Sequence, residues 1–118
     1  MANLYRCGNA SPINIPTLST AGYSGVNETT ASAIGIFTFE ATSYKKLSWD
    51  SMSGYITTAS SHLYVKADGA TIYNSLAATP VEIDISLYDS VTIELRPSRT
   101  YTPIAYGTIM QLNNIVIQ

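Results

Sequence analysis

Between residues 62 and 74 the chain reads HLYVKADGATIYN, two runs of alternating apolar and polar side chains around an Asp68-Gly69 pair. A period of two marks a strand with one face toward a core. Asp-Gly between two such runs is the strongest short signal for a two-residue type I′ turn. Counting outward from that turn predicts Ala67 opposite Ala70, Lys66 opposite Thr71, Val65 opposite Ile72 and Tyr64 opposite Tyr73. The period recurs downstream. Val81, Ile83 and Ile85 of VEIDIS (81–86) point inward with Glu82 and Asp84 outward, and VTIELR (91–96) repeats the pattern with Val91, Ile93 and Leu95. After a loop at 96–107, TIMQLNNIVIQ reads as a long final strand.

Upstream, AIGIFTFEA (33–41) sets Phe37 and Phe39 on one face and Ile34 and Ile36 on the other. Either both faces of this strand are covered, or one apolar face meets a neighbouring molecule. KKLSWDSMS (45–53) places Leu47 and Trp49 on one face and Lys46, Ser48 and Asp50 on the other; Gly54 ends it, and YITTAS (55–60) follows as a further strand. Residues 8–32 are rich in Gly, Pro, Ser, Thr and Asn, with only INI (13–15) strand-like, and read as an extended arm. No segment has a helical period. The prediction is an all-β chain, an antiparallel β-sandwich of jelly-roll type with about eight strands, preceded by an arm over 1–32 and occupying 33–118.

Composition supports this. The 118 residues suffice for one domain with its own core. Only 12 % are charged, whereas 28 are Ser or Thr, so the solvated faces are built mainly from hydroxyls and amides. Ser and Thr compete poorly in helix interiors, and Thr, Tyr, Val and Ile suit a pleated, half-buried surface. The net charge of −2 and six scattered Lys and Arg leave no basic stripe to neutralise phosphates, so nucleic acid is not an expected partner. Cys7 is the only cysteine, which excludes an intrachain disulfide. The start MANLYRCGNASP lacks the basic-then-apolar lead of a secretion signal, and no stretch is long enough for a membrane-spanning helix. The expectation is synthesis in a cytosol, without a membrane partner.

The succession LYVKADGATIYNS, PVEIDIS, SVTIELRPS and a closing apolar strand resembles the galactose-binding-like jelly rolls, in particular the NPCBM carbohydrate-binding modules, over about residues 45–118. Asp68, Gly69, Ile72, Tyr73, Pro80 and the alternating apolar positions carry the resemblance. The closing strand departs from it, reading MQLNNIVIQ where that family often has a Trp. The resemblance implies a jelly roll and a glycan ligand. It also admits a structural calcium ion, for which Asp50, Asp68 and Asp89 are the candidate donors; no cofactor is otherwise expected.

Catalytic chemistry is poorly supplied. Glu82 and Asp84 share a strand face and Glu94 is a candidate neighbour, but a solvated strand face accounts for them equally well. His62 is the only histidine and reads as an exposed strand residue, so neither a Ser-His-Asp triad nor a multi-histidine metal site has its parts. Binding is better provided for. Sugars present apolar C–H faces edged with hydroxyls, which call for aromatic platforms beside planar hydrogen-bonding groups. Trp49, Tyr55, Arg96, Arg99, Tyr101 and Tyr106 supply these if the 96–107 loop folds over the edge containing residues 49–55, although a Trp alternating with Leu47 is more often core than ligand platform.

No enzyme is expected, and three functions of different kinds remain. One is a stand-alone carbohydrate-binding module. Another is an assembly and attachment protein, such as a bacteriophage decoration, tail or baseplate component that is virion-associated and forms a homo-oligomer or contacts other particle proteins. The third is a small inhibitor of a host protein. A low-charge, Ser/Thr-rich chain without a leader, with an arm to pack on neighbouring subunits, favours the second, with glycan recognition as its candidate task.

Overall fold

The computed structural model describes residues 11–24, 28–100 and 107–118. Within them the chain is all strand and turn: β1 (Ile13–Tyr23), β2 (Thr30–Ser32), β3 (Gly35–Glu40), β4 (Lys46–Trp49), β5 (Ser51–Tyr55), β6 (His62–Ala67), β7 (Ala70–Asn74), β8 (Val81–Asp84), β9 (Ser90–Arg96), β10 (Ser98–Thr100) and β11 (Gly107–Ile117). One sheet runs β1-β11-β4-β8, with β5 also paired to β11; the other runs β3-β9-β6-β7, and β10 pairs with β2. Every pairing is antiparallel. The two larger sheets face each other across a core as expected for a sandwich.

Alternation dictates that core. Leu63, Val65 and Ala67 of β6 and Val91, Ile93 and Leu95 of β9 face Leu47, Trp49, Met52, Met110, Leu112, Ile115 and Ile117 of the opposite sheet, all of them buried. Each aliphatic side chain so enclosed contributes about 1.5–3 kcal/mol relative to exposure.

The Asp68-Gly69 turn forms as its sequence demands, with φ of 48° and 87° at the two positions. Ala67 faces Ala70 and Lys66 faces Thr71, but a bulge between Val65 and Lys66 then shifts the register. Val65 therefore pairs with Tyr73 instead of Ile72, and Tyr64 with Asn74 instead of Tyr73. The extra residue lets both Ile72 and Tyr73 pack on the core, and Tyr73 meets the edge of Trp49 at 5.3 Å between ring centroids.

Three further departures have local causes. The strand foreseen at 13–15 continues to Tyr23, hydrogen-bonded along β11; of its inward residues Leu18, Thr20 and Gly22, the last two are too small or polar to signal it. Residues 56–61 are turn instead of strand, with the Ser60 and Ser61 amides donating to the Thr57 carbonyl. Gly54 does not end a strand but lies within β5, where its φ of 156° suits only glycine.

A crease crosses the first sheet. Inward positions switch parity from Ile13 and Ile15 to Leu18 and Thr20 in β1, from Leu47 and Trp49 to Met52 across β4 and β5, and from Met110 and Leu112 to Ile115 and Ile117 in β11. The registers set Pro16, Asn114 and Asp50 side by side at the three switches. Asn114 takes the left-handed conformation (φ 56°), its amide donates to the Asp50 carboxylate at 2.9 Å, and Pro16 offers no N–H there to leave unpaired.

Candidate functional site

Two large aromatic side chains stand out of the sandwich on one end of the first sheet: Tyr23 is 85 % exposed and Tyr55 70 %. They flank β11 from opposite sides, Tyr23 opposite Gly107 and Tyr55 opposite Ile109. Two strand spacings and a two-residue offset put their backbones about 12 Å apart. Between them lies an open cleft of 290 Å³ lined by Ala21, Tyr23, Tyr55, Arg99, Gly107, Thr108 and Ile109.

Local chain chemistry builds each part. Gly54 lets β5 lie close on β11, since a Cβ there would collide with the Ile109 carbonyl. The Thr108 hydroxyl donates to the Tyr55 carbonyl at 2.8 Å and fixes the backbone beneath the ring. Gly107 leaves room for Tyr23, whose Cδ1 would lie 3.2 Å from any added Cβ. Arg99 stands on β10, which is clamped by the 57–61 turn: the Thr57 amide donates to the Ser98 carbonyl at 2.7 Å, the Thr100 amide to the Thr57 hydroxyl at 2.9 Å, and the Ser98 amide to the buried Ser61 hydroxyl at 2.9 Å. Thus braced, its Nη1 donates to the Gly107 carbonyl at 3.2 Å and its guanidinium carbon sits 5.7 Å from the Tyr55 ring centroid.

The structure brings together only part of the expected set. Tyr55 and Arg99 converge. Tyr101 and Tyr106 lie outside the described residues. Trp49 is 1 % exposed and belongs to the core, so it offers no platform. Arg96 turns to the other sheet, because the chain bends at Pro97 between β9 and β10; it lines a separate cleft with His62, Ser60 and Ser98. Tyr23 was not foreseen. Its signal is the weak alternation Leu18-Ser19-Thr20-Ala21-Gly22-Tyr23, in which only Leu18 is both inward and large.

Arg96 has a structural employment. Glu94, buried although it faces outward, accepts from Arg96 Nε at 2.9 Å and from Lys66 Nζ at 3.2 Å. The Arg96 hydrogen bond, together with the Lys66 bond and both positive charges, holds its carboxyl below the ordinary 4.5, against the opposing effect of burial. On the same face the His62 and Tyr64 rings stack at 5.4 Å and Lys66 lies 5.4 Å over Tyr64, so Tyr64 is braced by both neighbours. A carboxyl lowered on folding stabilises above its ordinary range and loses that contribution as pH falls through the folded value. Glu94→Gln is expected to cost about 1 kcal/mol at pH 7, at the low end for a charge-assisted hydrogen bond since both cations are partly solvated. In urea titrations that difference from wild type should shrink below about pH 4.5; a constant difference down to pH 3 would contradict it.

Glu94 does not join the other two acids, which share the outer face of β8 and line one cleft with Lys45, Lys46 and Ser86. Glu82 and Asp84 lie on β8 in the first sheet and Glu94 on β9 in the second, because the chain crosses between sheets after Asp84. Glu82 pairs with Lys46 at 3.2 Å, and Asp84 accepts from the Ser86 hydroxyl and amide, which lower its pKa. The calcium candidates separate too. Asp68 takes the Asp89 and Ser90 amides at one turn, whereas Asp50 stands at the crease with Asn114. Among the described residues no three acidic, His or Cys side chains gather to hold a metal.

No protein-family model matches the chain, and comparison with curated proteins finds no match. Among solved structures it is similar to a family 35 carbohydrate-binding module from Clostridium thermocellum, with TM-score 0.35 and 14 % identity over 92 % of this chain and 98 % of that one. A family 35 module from an environmental isolate gives TM-score 0.32 and 20 % identity over 82 % of this chain and 76 % of that one. A cycloisomaltooligosaccharide glucanotransferase from Paenibacillus sp., complexed with cycloisomaltoheptaose, gives 0.33 and 16 % over 96 % of this chain and 19 % of that one. Likeness at this level assigns the chain neither a family nor a ligand.

Proposed function

We propose that the protein is a non-catalytic attachment module that binds a glycan on the Tyr23–Tyr55–Arg99 surface. One observation carries the reading: two mostly exposed tyrosine rings share a cleft with a guanidinium fixed by Gly107 and Tyr55. Exposed aromatic area of this kind gains free energy when a sugar's C–H face covers it, and a braced guanidinium presents planar donors to hydroxyls at little further loss of side-chain freedom. Two platforms rising from backbones about 12 Å apart suit an oligosaccharide better than a single sugar. Attachment as a bacteriophage decoration, tail or baseplate component is the setting proposed for this surface, resting on the low-charge, hydroxyl-rich chain; mass spectrometry of purified particles tests it.

A glycan array should give a defined set of ligands. Calorimetric titration with the best of them should then show about tenfold or greater weakening for each of Tyr23→Ala, Tyr55→Ala and Arg99→Ala, as expected when roughly 1.4 kcal/mol or more of a hot-spot contact is removed. An array without hits, or affinities unchanged in all three variants, would remove the proposal.

A further inference from the structure

Five large hydrophobic side chains are exposed among the described residues: Tyr23, Tyr55, Leu87, Ile34 and Ile36. The first two belong to the cleft above and Leu87 stands alone. Ile34 (59 %) and Ile36 (64 %) are neighbours on β3 and its approach, at the edge of the second sheet.

The backbone of that edge is open in a regular way. Ala33 and Ala41 donate to the carbonyls of Pro97 and Asp89 on the β9 side, and the register between them pairs Gly35 with Leu95, Phe37 with Ile93 and Phe39 with Val91. The odd residues therefore spend their amides and carbonyls on β9, and the even residues Ile34, Ile36, Thr38 and Glu40 direct theirs to the free edge. Among the described residues no strand pairs with that edge. The same four residues put their side chains on the outer face, where Thr38 meets Thr92 at 2.9 Å.

Three other edges carry protective features that this one lacks. β1 carries Pro16, β7 is bulged against β6, and β8 follows Pro80 and displays Glu82 and Asp84. Prolines, bulges and charges are the usual devices against edge-to-edge pairing. β3 has no proline, bulge or lysine, and its single charge, Glu40, comes at its end.

The geometry points to β3 as a self-association edge that pairs antiparallel with β3 of a second copy of this chain, joining two four-stranded sheets into one. A two-fold axis at Phe37 sets Ile36 opposite Thr38 and Ile34 opposite Glu40, and allows about eight backbone hydrogen bonds. The same register favours identical partners electrostatically. Ile34 aligns with Arg96 one strand further in, so Glu40 of each copy lies on the same face as Arg96 of the other, about 10 Å away before either side chain extends. The symmetry is closed and gives a dimer. With one strand and four side chains contributed by each copy, its dissociation constant falls in the micromolar range. None of this depends on what the tyrosine cleft binds.

Sedimentation equilibrium of the full chain from about 5 to 500 μM should show a monomer–dimer equilibrium. Ile36→Lys and, independently, Thr38→Pro should each weaken it at least tenfold, the second because it removes an amide aimed at the free edge while leaving the β9 ladder intact. Circular dichroism and thermal melting establish that both variants are folded. In hydrogen exchange the Ile36 and Thr38 amides of wild type should slow as concentration rises. A wild type that stays monomeric throughout, a dimer surviving both substitutions, a different closed oligomer, or edge amides that exchange equally fast in monomer and dimer would each overturn the assignment.

Discussion

Replacing Trp49 with Ala is expected to cost about 3–5 kcal/mol of folding stability, which for a domain whose total is about 5–15 kcal/mol brings the variant close to unfolding. The indole is buried on β4 and its edge contact with Tyr73 spans the two sheets, so truncation opens a cavity where they meet, and the surrounding strands, pinned in their ladders, cannot collapse into it. Trp49→Phe should cost far less, about 1–2 kcal/mol. It keeps most of the ring, and it removes an indole N–H that is buried with no hydrogen-bond partner among the described residues. Urea titrations measure both. A Trp49→Ala loss below about 1.5 kcal/mol would mean that the side chain does not seal the core. Glycan affinity should be unchanged in Trp49→Phe, because the ring lies inside the sandwich.

The fate of Trp49 shows what alternation reveals and what it hides. Leu47-x-Trp49 states that both side chains share a face, and only pairing partners decide whether that face is inside. Where a strand keeps one parity, the sequence is legible: β8 and β9 lie as VEIDIS and VTIELR predict, and the Asp68-Gly69 turn has the backbone that its two residues favour. Legibility fails where parity changes within a strand. At Pro16, Asp50 and Asn114 three neighbouring strands switch together, a coincidence visible only once their registers are known. It fails again at the bulge beside Val65, whose extra residue serves Trp49 through Tyr73 and leaves no local mark.

For the site, the approach of the 96–107 segment to Tyr55 was legible, but Arg99 stands there on the short strand β10 and not in a loop. The separation of Arg96 from Arg99 was not legible, since three residues apart in sequence they fall on different sheets. Tyr23 stayed hidden behind inward threonine and glycine. The apolar pair Ile34 and Ile36 could be seen from sequence to need a cover, but which side of β3 lay open required the odd residues to be spent on β9.

Gly54→Ala is the second substitution of large effect, and it ties the scaffold to the cleft. The glycine has φ of 156°, which an L-residue adopts only under strain, and an added Cβ would run into the Ile109 carbonyl and come within 3.1 Å of Met110 Cα. Both obstacles are backbone of the central strand β11 and cannot swing aside, so β5 must lift. That would break the pairing of Gly54 with Met110 and Tyr55 with Ile109, along with the Thr108 hydroxyl bond to Tyr55. A loss of about 3 kcal/mol is expected in denaturant unfolding. The consequence for binding separates framework from contact. Tyr55→Ala removes a mostly exposed ring and should leave stability within about 0.5 kcal/mol of wild type while weakening the glycan. Gly54→Ala keeps the ring and should weaken both, because the Tyr55 ring moves away from the position in which Arg99 braces it. Wild-type stability and affinity in Gly54→Ala would show that β5 tolerates displacement and that the Tyr55–Arg99 geometry is not held by this close approach.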